Sequence, residues 1–317
     1  VTHTEHRPNE HGPAARRPAE LHLSALSTAQ PPFRTVVTPD TAGWGYSGLR
    51  VLELEPGHSA EITTGDSETL VLPLDGGCTV TLSESSGAGS GSFRVEGRPD
   101  VFSRVSDFVY LPRGARATVA SASGGRFALP AARCDRTLPA RYGPAEDVPV
   151  ELRGAGQSSR QVNNLCLPGT FAADRLLVCE VLTPAANWSS YPPHKHDEAT
   201  ATECELEEIY YFEVADGPHG HGVGYHRVHG TPGRPVEVLA EVRREDVVLV
   251  PHGWHGPSMA APGYDLYYLN VMAGPGDERA WRISDHPDHA WVRGTWEDQE
   301  TDPRLPLCTA EGRKGRR

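Results

Sequence analysis

Apolar residues in this chain come in short bursts, split by glycine, proline and aspartate. Leu49–Leu54 (LRVLEL) is one such burst, partly alternating, and Pro56-Gly57 turns the chain after it. Thr69–Leu74 (TLVLPL) is a second, closed by Asp75-Gly76-Gly77, and Cys78–Leu82 (CTVTL) follows at once. Ser85 to Ser92 reads as a Gly/Ser-rich loop. Asp107–Gly114 (DFVYLPRG) is a strand running into a turn. Short runs of this length, bounded by turn residues, predict β-strands, and their regular spacing predicts a sandwich or barrel. The protein is expected to be all-β.

The second half repeats the plan. Leu176–Leu182 (LLVCEVL) resembles the opening strand, with Thr183-Pro184 as its turn, and Glu208–Glu213 and Val236–Leu239 follow. Asp246–Gly253 (DVVLVPHG) then mirrors Asp107–Gly114 almost position by position. The repeat is too long for a solenoid. It predicts two tandem units, residues 33–145 and 146–298, meeting where Pro and Gly cluster between Tyr142 and Gln157. Residues 1–32 read as a mobile N-terminal tail and 299–317 as a C-terminal tail.

A length of 317 residues accommodates this plan with a sizeable core, and Gly 33 and Pro 28 suit a turn-rich β protein. A net charge of -12 gives nucleic acid no basic field to bind. No stretch reaches the roughly 20 apolar residues of a membrane span, and none near the start resembles a signal peptide. The expectation is a cytoplasmic protein with neither nucleic acid nor membrane as a partner. Cys78, Cys134, Cys166, Cys179, Cys204 and Cys308 are widely spaced without a C-x-x-C pair, so free thiols are expected.

The halves differ where chemistry would sit. Tyr191–Asp197 (YPPHKHD) places His194 and His196 two apart, so on a strand both imidazoles share a face and Lys195 takes the other. The Pro251-x-Gly253 turn delivers a third imidazole, His255, with His252 as the alternative; comparison with the first repeat favours His255. A carboxylate from Glu198, Glu203, Glu205, Glu207 or Glu208 can complete a divalent metal shell. The first half has Ala115-Arg116 after its turn and Thr63, Thr64 and Asp66 opposite the His pair, so its role reads as structural. His219, His221, His226 and His229 lie among Gly220, Gly222 and Gly224 and read as solvated loop histidines.

The His-x-His strand and paired Pro-x-Gly turns resemble the cupin superfamily in a two-barrel, or bicupin, arrangement. Each barrel would be a double-stranded β-helix or jelly roll. Glu245 stands where such motifs usually carry glycine. Longer segments resemble one branch, the 5-deoxy-glucuronate isomerase family of myo-inositol catabolism: Tyr191–Asp197, Leu206–Tyr211 and Pro262–Pro275, continued by Arg279, Trp281 and Trp291. Arg153–Gly156, Ser159–Asn163 and Ala42–Tyr46 also match, so the resemblance spans roughly residues 40 to 295.

That resemblance implies an aldose–ketose isomerisation of a small sugar acid, 5-deoxy-D-glucuronate, to 5-dehydro-2-deoxy-D-gluconate. It implies one divalent ion (zinc, manganese or iron, with zinc slightly ahead) on His194, His196, Glu208 and His255. Strand alternation would put Tyr210 and Phe212 on the same face as Glu208 and turn Glu207 away. Arg160 and Arg153 are the expected anchors for the substrate carboxylate, with Lys195 as a further candidate. Tyr210, Tyr268, Glu203 and Asp265 are the candidates for moving the proton. An iron dioxygenase and a non-catalytic sugar-acid module are the competing readings. A homo-oligomer is left open, because an exposed barrel edge could pair across a dimer.

Overall fold

A computed structural model describes residues 21–83 and 91–313 of the chain. The expected loop around Ser85 and most of the first tail lie outside the described residues.

Strands from Phe33–Val37 to Arg141–Gly143 form one nine-stranded sheet that curls on itself. Within it, alternate side chains go to different cores. Leu70, Leu72 and Leu74 of Ser67–Leu82 face the second half of the protein, while Val71 and Val80 face the interior. That interior is filled by Leu52, Ile62, Val109, Leu111, Phe127 and Leu129, all fully buried. Apolar side chains take up the volume that a polar site would need.

The second half is two facing sheets. One has seven strands, in the order His22–Leu23, Val247–Val250, Glu207–Val214, Leu266–Ala273, Leu177–Thr183, Arg160–Cys166 and Val150–Arg153. The other has Arg234–Val242, Gly224–Thr231, Trp254–Ala260, His194–Lys195 and Ser284–Asp285 in a row, with Trp188–Ser189 beside Trp254–Ala260. All eight residues of Leu266–Ala273 and all four of Val247–Val250 are buried. Their sheet is covered on both sides, by the barrel interior and by the first barrel, so these runs are apolar rather than alternating.

Two carboxylates fasten the barrels reciprocally. Glu68 of the first accepts the backbone N–H groups of Asp174, Arg175 and Leu176 at 2.7–3.1 Å. Glu207 of the second accepts those of Gly45, Tyr46 and Ser47 at 2.6–2.9 Å. The fully buried Arg98–Glu180 pair also joins the two barrels, with Tyr267 donating to Glu180 at 2.9 Å. Glu245 takes the left-handed conformation (φ 69) where a glycine is usual, and Arg34 at 2.6 Å and Arg126 at 3.3 Å hold its carboxylate.

Both expected tails need correction where they are described. Leu21 is buried, and His22–Leu23 pairs with Val247–Val248 of the second barrel. At the other end Leu305, Leu307 and Cys308 are buried, and the Cys308 carbonyl accepts from Gln161 at 2.9 Å. The six cysteines are unpaired and buried.

Candidate metal centre and substrate cavity

His194 and His255 are paired across neighbouring strands, and the His196 carbonyl accepts from Leu206 N–H at 2.8 Å, which brings the next strand and Glu208 alongside. The turn before His255 needs Gly253, at φ 92, because a Cβ there would stand 2.7 Å from the His229 carbonyl oxygen. Nε2 of His196 and Nε2 of His255 lie 3.0 and 3.1 Å from the same Glu208 oxygen. All three residues are buried. The His194 ring lies 4.5 Å from that of His255 and 6.3 Å from that of His196, at the open side of the group.

Ring orientation tests whether a cation fits. His196 Nδ1 faces the Leu206 carbonyl at 3.2 Å, His255 Nδ1 the Gly253 carbonyl at 3.1 Å, and His194 Nδ1 the Pro192 carbonyl at 3.4 Å. A carbonyl accepts, so each Nδ1 carries the proton and each Nε2 presents a lone pair. His255 Nε2 is buried without a hydrogen-bond partner despite its approach to Glu208. Imidazole nitrogens gathered with a carboxylate oxygen in this way form an N/O donor set that suits a divalent metal. Burial, with His255 and His196 adding to it, pushes His194 well below the usual imidazole range and keeps it neutral.

A cavity of about 400 Å³ opens from His194 and Tyr210. Tyr268 and Asn270 share its floor with Tyr210, whose hydroxyl lies 3.2 Å from Ser190 Oγ. Burial pushes both tyrosines up, so they stand as neutral phenols that can donate to a substrate oxygen. Arg153 and Arg160 line the far side. Arg153 is paired with Glu151 at 2.8 Å. Arg160 is only 4% exposed, donates to the Ser158 carbonyl at 2.9 Å, lies over the Trp296 ring and has no carboxylate partner among the described residues. Burial, with lesser repulsion from Arg153 and Arg293, pulls its guanidinium down to about 10.

Four candidates from the sequence, Lys195, Glu203, Asp265 and His252, are not brought to this cavity. Lys195 points away from the histidines, and its Nζ is held by Asp197 and Glu203, each at 2.8 Å. Glu203 also accepts the backbone N–H groups of Asp197 and Glu198. Both belong to a charge cluster behind the ligand strand, because the side chains alternate there. Asp265 accepts from Ala185 N–H and faces Arg313, and His252 stays outside the metal group. The histidine loop also needs correction. His219 and His221 are exposed, but His226 and His229 lie on Gly224–Thr231. His226 is fully buried, with its ring 4.5 Å from Tyr210 and Nδ1 2.7 Å from Ser258 Oγ. Asp285, Arg293, Trp296 and Ile283 were not foreseen. Asp285 and Arg293 form an ion pair on the cavity wall.

Such a fold and centre define a bicupin whose second barrel carries a His/Glu metal-type site. The chain belongs to the KduI/IolB family, whose sequence model matches residues 22–292, and it is an isomerase. It is 42% identical over 258 residues to the 5-deoxy-glucuronate isomerase of Geobacillus kaustophilus, covering 81% of this chain and 89% of that protein. Identity to the enzyme of the same name from Bacillus subtilis strain 168 is 36% over 258 residues, with 81% and 91% covered. The crystal structure of an IolB-like protein from Salmonella typhimurium superposes with a TM-score of 0.77 at 34% identity, covering 86% of this chain and 98% of that one. Oxalate decarboxylase from Lactobacillus farciminis shares the fold alone, with a TM-score of 0.59 at 12% identity over 87% of this chain and 90% of that one. Among the described residues no helix is long and apolar enough to cross a membrane.

Proposed function

We propose that this isomerase converts 5-deoxy-D-glucuronate to 5-dehydro-2-deoxy-D-gluconate with one divalent metal ion held by His194, His196, Glu208 and His255. The observation that carries this reading is the buried guanidinium of Arg160, which has no carboxylate partner among the described residues, in a cavity that also reaches His194. A buried cation without an anion implies an anionic ligand, and a sugar-acid carboxylate supplies one with matching fork geometry. A bound metal would supply Lewis-acid polarisation of the carbonyl and its neighbouring hydroxyl.

The chain's own residues supply the rest. Arg160 grips the carboxylate and sets the depth of the sugar acid in the cavity. Tyr210, Tyr268 and Asn270 offer hydrogen bonds along the floor to its oxygens. Asp285 is the one carboxylate among the residues lining the cavity, and Arg293 orients it. We assign to Asp285 the removal of the proton from carbon 2 and its return to carbon 1, with the hydroxyl proton passing between the two oxygens. Trp281 lines the cavity and limits water there.

The test is proton NMR of 5-deoxy-D-glucuronate with the purified protein, before and after chelation. Formation of the ketone that stops on chelation supports the reading. No conversion by protein shown to contain metal overturns the substrate assignment.

A further inference from the structure

Taking the proposed substrate as given, we infer that Val162 and Val181 form an apolar slot that reads the missing hydroxyl beside the substrate's carboxylate. Both valines line the cavity and are buried. They face each other across neighbouring strands in direct register. Val162 lies two residues from Arg160 on the same strand, so the two side chains share a face.

Strand order in the sheet turns this into a sequence of chemical surfaces. Arg153 and Arg160 are paired on the two outermost strands. Moving inward, Val162 pairs with Val181, and Val181 with Tyr268. One strand further, Asn270 pairs with Tyr210, on the strand that also carries Glu208. The wall therefore reads guanidinium, hydrocarbon, hydroxyl and amide, then the metal group. An extended 5-deoxyuronate reads carboxylate, methylene, carbinol carbons, then the reacting carbons 2 and 1. With the carboxylate on Arg160, the methylene is one bond away and meets the valines.

Nearby polar side chains are turned the other way. Gln161 donates to Asn163 and to the Cys308 carbonyl, and Asn163 donates to Glu180, all on the opposite face of the sheet. A hydroxyl at the methylene position would lose its water and find no partner on the valine wall. Apolar pockets reject an added hydroxyl by roughly 100-fold. The slot thus selects acids that are deoxy next to the carboxylate over ordinary uronates.

Two measurements test this. First, kcat/KM is compared for 5-deoxy-D-glucuronate and D-glucuronate in the wild type, Val162→Thr and Val181→Thr, with the inhibition constant of D-glucuronate used where its turnover is too slow. The ring preference of each free sugar is the same for every enzyme form and cancels. Either threonine should lower the preference for the deoxy substrate about tenfold. Second, wild-type protein needs no substitution: 2-deoxy-D-gluconate should inhibit more strongly than D-gluconate by a factor of tens, approaching 100. Equal inhibition by the two acids, or an unchanged preference in both folded variants, overturns the slot. Failure of the wild type to convert 5-deoxy-D-glucuronate at all would instead refute the proposed reaction.

Discussion

Replacing Arg160 by methionine should make the free protein more stable and the enzyme much worse. The side chain is almost wholly buried, its guanidinium donates to one backbone carbonyl, and no carboxylate offsets its charge. A free guanidinium titrates at roughly 12.5 or above, whereas this one is drawn down to about 10. At ~1.4 kcal/mol per tenfold change in ionisation, holding the charge costs roughly 3.5 kcal/mol. The group is still charged at neutral pH, so the cost applies in full there and is relieved only as the pH rises through 10. Methionine keeps an unbranched side chain of similar bulk and removes the charge. If half of the cost is recovered, the melting temperature should rise by roughly 2–5 °C. Losing a buried charge-assisted contact to the substrate carboxylate costs about 2–5 kcal/mol, or roughly 30- to several-thousand-fold in kcat/KM. Scanning calorimetry of metal-loaded protein and steady-state kinetics on 5-deoxy-D-glucuronate read the two effects separately. A fall in melting temperature with unchanged kinetics would mean that Arg160 is a structural cation, and the case for an anionic substrate would go with it.

Four further outcomes are expected. His196→Ala should abolish stoichiometric metal binding by elemental analysis while circular dichroism stays native; full metal retention would sink the ligand assignment. Asp285→Asn should lower kcat by about 100- to 10,000-fold with little change in metal content, and a near-normal kcat would move the proton transfer to another group. Glu207→Ala leaves three backbone N–H groups without their acceptor and should cost about 2–4 kcal/mol in urea unfolding; a loss within error would show that water replaces the carboxylate. The side-chain bond from Arg304 holds the Asp302 carboxyl down to about 2. A depressed carboxyl stabilises above its unfolded value of roughly 3.9 and ceases to do so as pH falls through 2. Asp302→Asn should therefore destabilise the protein at pH 6, and the difference should shrink between pH 4 and 2; a pH-independent difference would assign the effect to packing.

The grouping of His196 and His255 with Glu208 was legible because a strand has a period of two and a Pro-x-Gly turn has few conformations. Those constraints act over a handful of residues and survive in a bare sequence. Lys195 and Glu203 were misread for the opposite reason: a charge fit to bind a substrate looks the same as a charge bound to its neighbour, and only the fold shows that these two face each other. His226 was taken for a loop residue because three glycines precede it, but the last of them, Gly224, opens the strand. Asp285, Arg293 and Trp296 come from a segment of short strand and 3-10 turns around residues 284–298, which has no periodicity to mark an inward face. The termini read as tails because their apolar residues are few and isolated, yet Leu21, Leu305 and Leu307 each find a place in a core built by distant strands.

Glu68 and Glu207 each reach across to close the other barrel's backbone. Neither half can therefore leave without exposing three amide groups and a carboxylate on the half that remains, besides the unpaired Arg98 or Glu180 at the centre. A gene cut near residue 145 should yield two insoluble polypeptides and, when they are produced together, one complemented protein. The same reciprocity gives a barrel filled with hydrocarbon a structural role beside the one that carries the His/Glu group. Deleting it would uncover the face of the sheet against which its twin is packed.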